Sequence, residues 1–254
     1  MSIFNKALAS LGIGATKIDC RFSQPAFRVG EEVKGQAIVM GGAAEQKVDT
    51  IYLSLFTSYL RQSNNKEYED HALIKQIKIA EPFTILENEI AAFPFTFTLP
   101  LWAPVTANGS HLWIKAGADI KNAMDPFDLD PLVTKPSTFM TELLNVILNE
   151  GFTLSHTSCV EAPDRYKKQQ AFIQKFVFNP KSGHFGKTLN SLTIKFYAES
   201  STVYELLIEL DHKVNTLHPG EKGYDHESLF RVRVRMEDVC SFHRKFIQII
   251  EQSS

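Results

Sequence analysis

The chain is expected to be all-β, built as two antiparallel β-sandwiches in tandem with a linking helix between them and a C-terminal helix. Three observations predict this. Apolar residues alternate with small or polar ones through most of the 254 residues, the period of a strand with one face on a core. Turn residues recur at short intervals, and no long helix intervenes before residue 137, which excludes a parallel α/β sheet. An acidic, proline-punctuated break near residue 130 is followed by the best amphipathic helix in the chain, which divides the strands into two sets.

The first set covers residues 1–130. Ile3, Phe4, Ala7, Leu8 and Leu11 recur at helical spacing, and Gly12 and Gly14 end the run. A secretory leader would need a longer apolar stretch, so a short helix docked on the first sandwich is expected. Val33, Ala37 and Val39 form a core row after the turn Val29-Gly30-Glu31-Glu32, and Ile51, Leu53 and Leu55 form another. Ile77 and Ile79 lead into Pro82-Phe83-Thr84-Ile85. The clearest strand sets Phe93, Phe95, Phe97 and Leu99 against Pro94, Thr96, Thr98 and Pro100. Leu112, Ile114, Ala116 and Ala118 close the series.

Residues 131–151 read as hinge and linking helix. Asp125-Pro126-Phe127-Asp128-Leu129-Asp130-Pro131 carries two prolines and three acids and reads as a connector rather than a central strand. Ser137 or Thr138 supplies an N-cap hydroxyl, and Phe139, Met140, Leu143, Leu144, Ile147 and Leu148 form an apolar stripe ended by Gly151. Residues 152–254 form the second set. Its rows are Phe172, Phe176 and Phe178; Leu192, Ile194, Phe196 and Ala198; Leu206, Ile208 and Leu210; and Phe230, Val232, Val234 and Met236. Val239, Phe242, Phe246 and Ile249 then return to helical spacing.

Charge and cysteines narrow the function classes. Residues 1–136 hold 13 basic and 15 acidic side chains, and residues 137–254 hold 14 of each. Neither half has the basic excess of a nucleic-acid binder. Cys20, Cys159 and Cys240 are widely spaced, with no Cys-x-x-Cys pair. That fits free thiols in a reducing cytosol rather than a disulfide framework or zinc knuckle.

Catalytic motifs are sparse. There is no Gly-x-Ser-x-Gly elbow, no phosphate-cradling glycine loop and no His-Glu-x-x-His. Ser182 and His184 are loop neighbours, which does not make a catalytic pair. Asp125, Asp128 and Asp130 miss the calcium-loop spacing. Asp211-His212 and Tyr224-Asp225-His226-Glu227 offer zinc-type donors without three ligands in a fixed arrangement. No catalytic, cofactor-binding or metal site is therefore assigned. One binding candidate stands out: Arg231, Arg233 and Arg235 share one face of a strand and would meet carboxylates or phosphates of a partner. The alternative is an exposed face neutralised by Glu199, Glu205 and Glu209 of neighbouring strands. Arg165, Lys167 and Lys168 make a second basic cluster in a loop, and Arg244 and Lys245 a pair near the end.

The order of short motifs in the first half adds a resemblance. Ala15-Thr16-Lys17-Ile18-Asp19, Val29-Gly30-Glu31-Glu32-Val33-Lys34-Gly35, Gly41-Gly42-Ala43-Ala44-Glu45-Gln46, Ile51-Tyr52-Leu53-Ser54-Leu55, Pro94 to Pro100, Pro104-Val105-Thr106, Trp113 to Ile120 and Ala123 to Asp128 follow one another. Residues 1–136 in this order resemble the sporulation-control (SpoOM) family of arrestin-like proteins. The second half resembles the family only in its strand pattern and its opening helix. The resemblance implies tandem sandwiches of arrestin-like type joined by a short hinge. It also implies a bacterial regulatory protein, first linked to sporulation control, with no accepted catalytic residues.

The expected function is thus a cytoplasmic, non-catalytic regulatory scaffold or adaptor, a stress or developmental regulator that binds other proteins. Exposed sandwich edges suit a partner's strand, or homodimer formation between two copies. Two alternatives remain: a membrane-surface adaptor using Phe4, Leu8 and Leu11, and an enzyme with a dispersed site. With one lysine beside those apolar residues, membrane contact is not expected.

Overall fold

A computed structural model of the chain describes residues 15–63, 66–120, 125–181, 184–213 and 227–252. The expected N-terminal helix, Ser182-Gly183 and the Tyr224-Asp225-His226 stretch lie outside the described residues.

The first half is two facing sheets. One contains β1 (Lys17–Phe22), β3 (Glu32–Met40) and β7 (Ile90–Thr98), all antiparallel in the order β1-β3-β7. The other is centred on β4 (Gln46–Ser63), which pairs with β5 (Lys66–Ala80) and β6 (Phe83–Ile85), and also with β8 (Trp113–Ile120). The alternation predicts which face is buried. Val33, Ala37 and Val39 on β3 meet Ile51, Leu53 and Leu55 on β4 and Ile114, Ala116 and Ala118 on β8 in one apolar cluster. Phe95, Phe97 and Leu99 are buried with them. Pro94 pairs opposite Gln36 on β3, and β7 has no second neighbour among the described residues. An edge strand tolerates the missing N–H. The turn into β3 requires Gly30, whose φ of +87° favours glycine.

The acidic segment expected as a connector is instead a strand, β9 (Phe127–Pro131), antiparallel to β8. Its prolines cause no conflict because it sits at the end of the sheet path, so one side needs no ladder. Asp128 secures it: its Oδ2 accepts the backbone N–H of Cys20 on β1 at 3.0 Å. β2 (Phe27–Arg28) and β10 (Thr134–Lys135) then form a short parallel ladder.

α1 (Thr138–Asn149) starts as predicted, with Ser137 Oγ accepting the Met140 N–H at 3.1 Å. Gly151, at φ +86°, follows its end. Five antiparallel strands then run in order: β11 (Phe152–Glu161), β12 (Phe172–Pro180), β13 (Leu189–Ser200), β14 (Val203–His212) and β15 (Glu227–Arg235). A five-residue helix, α2 (His184–Thr188), joins β12 to β13 in place of a plain hairpin loop. β15 ends at Arg235, so Met236 falls in a 3-10 turn and is exposed. α3 (Val239–Gln252) follows.

Among the described residues, the layer over this second sheet is helical. Phe139, Leu143 and Ile147 of α1 and Phe242, Phe246 and Ile250 of α3 pack on Phe176, Ile194, Leu206, Ile208, Val232 and Val234. The linking and terminal helices each offer one broad apolar face, which is what an open sheet face needs covered.

The halves interlock. β11 bridges to β4 in parallel at Val160 and Leu60, which joins the two halves into one ten-stranded network. Phe172 of β12 lies in the first core, with ring centres 6.1 Å from Tyr59 and 5.8 Å from Trp102. In exchange, Val105 belongs to the second core. The buried Gln174 amide clamps Val105: its Oε1 accepts the Val105 N–H at 2.8 Å and its Nε2 donates to the Val105 carbonyl at 2.8 Å. Buried Thr157 donates its hydroxyl to the Ala107 carbonyl, and its N–H bonds Asn108 O at 2.9 Å.

Two stability outcomes follow. Gln174→Ala leaves the buried Val105 N–H and C=O unpaired and is expected to cost about 1–3 kcal/mol, read from urea midpoints. Ser137→Ala removes the cap of α1 and the 3.0 Å contact to Tyr204 Oη. Its expected cost is about 1–2 kcal/mol, with no change in the slope of unfolding against urea.

Candidate functional site

The three candidate arginines lie on β15, the terminal strand of the ten-stranded network, which pairs only with β14 among the described residues. Period two sends Val232 and Val234 into the core and Arg231, Arg233 and Arg235 outward. The register sets Arg233 opposite Glu205 and Arg231 opposite Leu207.

Each arginine reaches an acid of its own chain. Arg231 Nε is 2.8 Å from Glu205 Oε1. Arg233 reaches over β14 to Glu199 on β13, with Nε at 3.0 and 2.9 Å from the two carboxylate oxygens and Nη2 at 2.6 Å. Arg235 is held least, 3.8 Å from Glu237. All three side chains remain more than half exposed, at 56%, 58% and 58%. A guanidinium carries five N–H donors, so these pairs steer the arginines without removing them from solvent.

Glu205 is the deepest charge here, its side chain only 8% exposed. Arg165 Nη2 reaches its Oε2 at 3.0 Å, so the loop cluster and the strand arginines converge on one carboxylate. Beneath lies a satellite core of Ala162, Tyr166, Ile173, Tyr197 and Leu207. The Tyr166 and Tyr197 rings are 4.0 Å apart, and Arg165 stacks 4.7 Å over Tyr166. Burial, then the Glu205 carboxylate, pushes the Tyr166 phenol up to about 12. The sequence points to Glu199, Glu205 and Glu209 as neutralising acids. It does not reveal that Arg165 reaches Glu205 across 40 positions, because no periodicity links a loop to a strand. Lys195 pairs with Glu209 at 2.5 Å, and Lys167 with Glu161 at 3.0 Å and Asp164 at 2.9 Å. Arg244 and Lys245 are exposed on α3.

The hinge acids are placed differently. Asp125 Oδ1 accepts the Ile120 N–H at 2.9 Å and takes no part in a cluster with the other two. Asp130 faces Asp128, with Asp19 of β1 nearby. Burial, reinforced by those two carboxylates, raises Asp130 to about 6. Asp211 Oδ1 accepts from Asn190 Nδ2 at 3.2 Å. Among the described residues, no three His, Cys, Asp or Glu side chains form a group able to hold a metal ion. A surface concavity of about 340 Å3 is lined by Arg21, Phe22, Ser23, Lys34, Gly35 and Gln36. Its two cations are paired, Arg21 with Asp19 at 2.8 Å and Lys34 with Glu32 at 3.1 Å. Cys20 and Cys159 are buried, and burial pushes both thiols up to about 12, far from a reactive thiolate. Among the described residues, no helix is long and apolar enough to cross a membrane.

A second surface was not legible as such in the sequence. On the outer face of the first half, Phe127 and Leu129 of β9 are exposed, Lys115 lies 4.6 Å over the Phe127 ring, and Phe56 stacks on Trp113 at 5.8 Å.

Two outcomes test these assignments. Because the folded chain holds the Asp130 proton more tightly than the unfolded chain, that contribution is fully present below about pH 4 and lost as pH rises through about 6. Relative to wild type, Asp130→Asn should therefore gain stability from pH 4 to pH 7, measured by thermal melts across that range. The double substitution Arg165→Ala, Arg231→Ala removes both ion-pair partners of the nearly buried Glu205 and should cost about 1–3 kcal/mol. Arg235→Ala alone should be near neutral.

Comparison with known proteins agrees with this architecture. The SpoOM protein family matches residues 4–214, well past the first half to which the motif resemblance was confined. A curated relative, sporulation-control protein spo0M of Bacillus subtilis (strain 168), is 33% identical over 257 residues, covering 99% of both chains. The crystal structure of Spo0M, sporulation control protein, from Bacillus subtilis superposes with a TM-score of 0.82 at 30% identity, covering 95% of this chain and 100% of that one. The fold is therefore shared along nearly the whole length, the helix-covered second sheet included, and the chain belongs to the SpoOM protein family.

Proposed function

We propose that this chain is a non-catalytic regulatory adaptor that works by binding other proteins. The observation that carries the reading is the combination of an interlocked body with long strands at its margins. β5 and β15 each pair with one neighbour among the described residues, and each presents an exposed leucine, Leu73 at 61% and Leu229 at 66%. An unpaired ladder beside an apolar side chain suits strand addition by a partner. The regulatory part of the reading rests on family membership, since the relative is a sporulation-control protein. The non-catalytic part rests on the site chemistry. The strand arginines are steered by structural acids, and the buried thiols are held protonated. A cytoplasmic location is part of the same proposal.

The test is affinity capture from the native cell with wild type and with Leu73→Pro and Leu229→Pro, each first checked for an unchanged circular dichroism spectrum. At least one proline variant should lose a partner that wild type retains. Retention of every partner by both variants would remove strand addition at these edges.

A further inference from the structure

We infer that the margin of β15 that has no strand neighbour among the described residues is a docking edge for an extended acidic segment of a partner protein, one carrying carboxylates at every second residue. This rests on the protein-binding function proposed above and names the chemistry of its partner.

On its paired side, β15 adjoins β14, whose outward residues are Glu205, Leu207 and Glu209. The outward residues of β15 itself are Leu229, Arg231, Arg233 and Arg235. Glu205 lies opposite Arg233, while Leu207 stands opposite Arg231 and Glu209 opposite Leu229. Opposite charges across strands are the stabilising arrangement, and an acidic strand on the other margin would supply one to each arginine. The arginines remain available for this: all three are more than half exposed, and Arg235 is held only by one acid at 3.8 Å. The exposed Leu229 adds an apolar position at one end of the row.

The same row argues against a second copy as occupant. In a two-fold antiparallel pairing of β15 with itself, residues of one outward face lie opposite each other. Registers centred on the row place arginine against arginine, and like charges directly opposite are destabilising. The row thus disfavours the self-pairings centred on it while remaining open to an acidic strand, a common way of selecting a partner by repulsion of the wrong one. Glu205 on β14 and Glu199 on β13 draw the guanidinium groups of Arg231 and Arg233 inward over the sheet, so Arg235, 3.8 Å from Glu237, is the cation least committed to its own chain and the one on which the edge chiefly relies.

The experiment uses the full chain and synthetic peptides of about seven residues, a usual strand length. One peptide alternates glutamate with threonine. The controls are the same composition with its glutamates in one block, a lysine–threonine alternation, and the glutamate peptide N-methylated at alternate backbone nitrogens. Binding is read by fluorescence anisotropy, and the contact by amide hydrogen exchange. The alternating glutamate peptide should bind and slow exchange in β15. Affinity should fall about tenfold or more with Arg235→Glu, with N-methylation and with the block peptide. The inference is overturned if the glutamate peptide does not bind, if Arg235→Glu binds it equally well, or if protection appears away from β15. Arg235→Gln, a milder change, should fall between the two. If the peptide fails while partners captured from the cell still bind, only this edge assignment is lost. Loss of those partners as well would remove the protein-binding function itself.

Discussion

The structure depends first on the clamp between Gln174 and Val105. One buried amide satisfies both backbone groups of a residue in the other half, with two bonds of 2.8 Å. An unpaired buried peptide group is expensive, so this pair fixes where β12 sits against the segment leading to β8. Around it the cores trade residues. Phe172 enters the first core, Val105 the second, and Thr157 ties β11 to Ala107 and Asn108. The two halves are thereby held in one geometry, and the β15 margin stands at a set position relative to the first half. The linking helix and the terminal helix then close the second core from one side.

The distribution of charge follows from the same frame. The outward face of the second sheet is laced with pairs between neighbouring strands, centred on the nearly buried Glu205. Pairs of this kind contribute little where they are exposed, but a carboxylate at 8% exposure requires its cations. Arg231 therefore combines a structural duty with its place in the row, whereas Arg235 is almost free of one. That difference lets the partner-binding role be separated from folding by substitution.

Much of this was legible in the sequence because the signals are local. Alternation located the core rows of β3, β4, β7 and β8, Ser137 marked the start of α1, and the stripe Phe242, Phe246 and Ile249 located α3. The acidic hinge was misjudged because prolines in a strand depend on whether the strand has a neighbour on both sides. β9 lies at an edge, and only the tertiary pairing shows it. The parity of Phe172 was right, yet its destination was the other half's core, which no pattern within β12 encodes. The arginine row was visible from spacing alone. Its position on a terminal strand, and the convergence of Arg165 on Glu205, emerge only from long-range packing.

Halves that share core residues and buried hydrogen bonds should unfold as one cooperative body. The direct measurement is native-state hydrogen exchange of individual amides across a range of low urea concentrations. β4 and β8 in the first half should open together with β12 and β13 in the second, at one shared free energy and one urea dependence. If β12 and β13 instead open well before β4 with a smaller urea dependence, the clamp at Gln174 does not couple the halves, and the account is wrong.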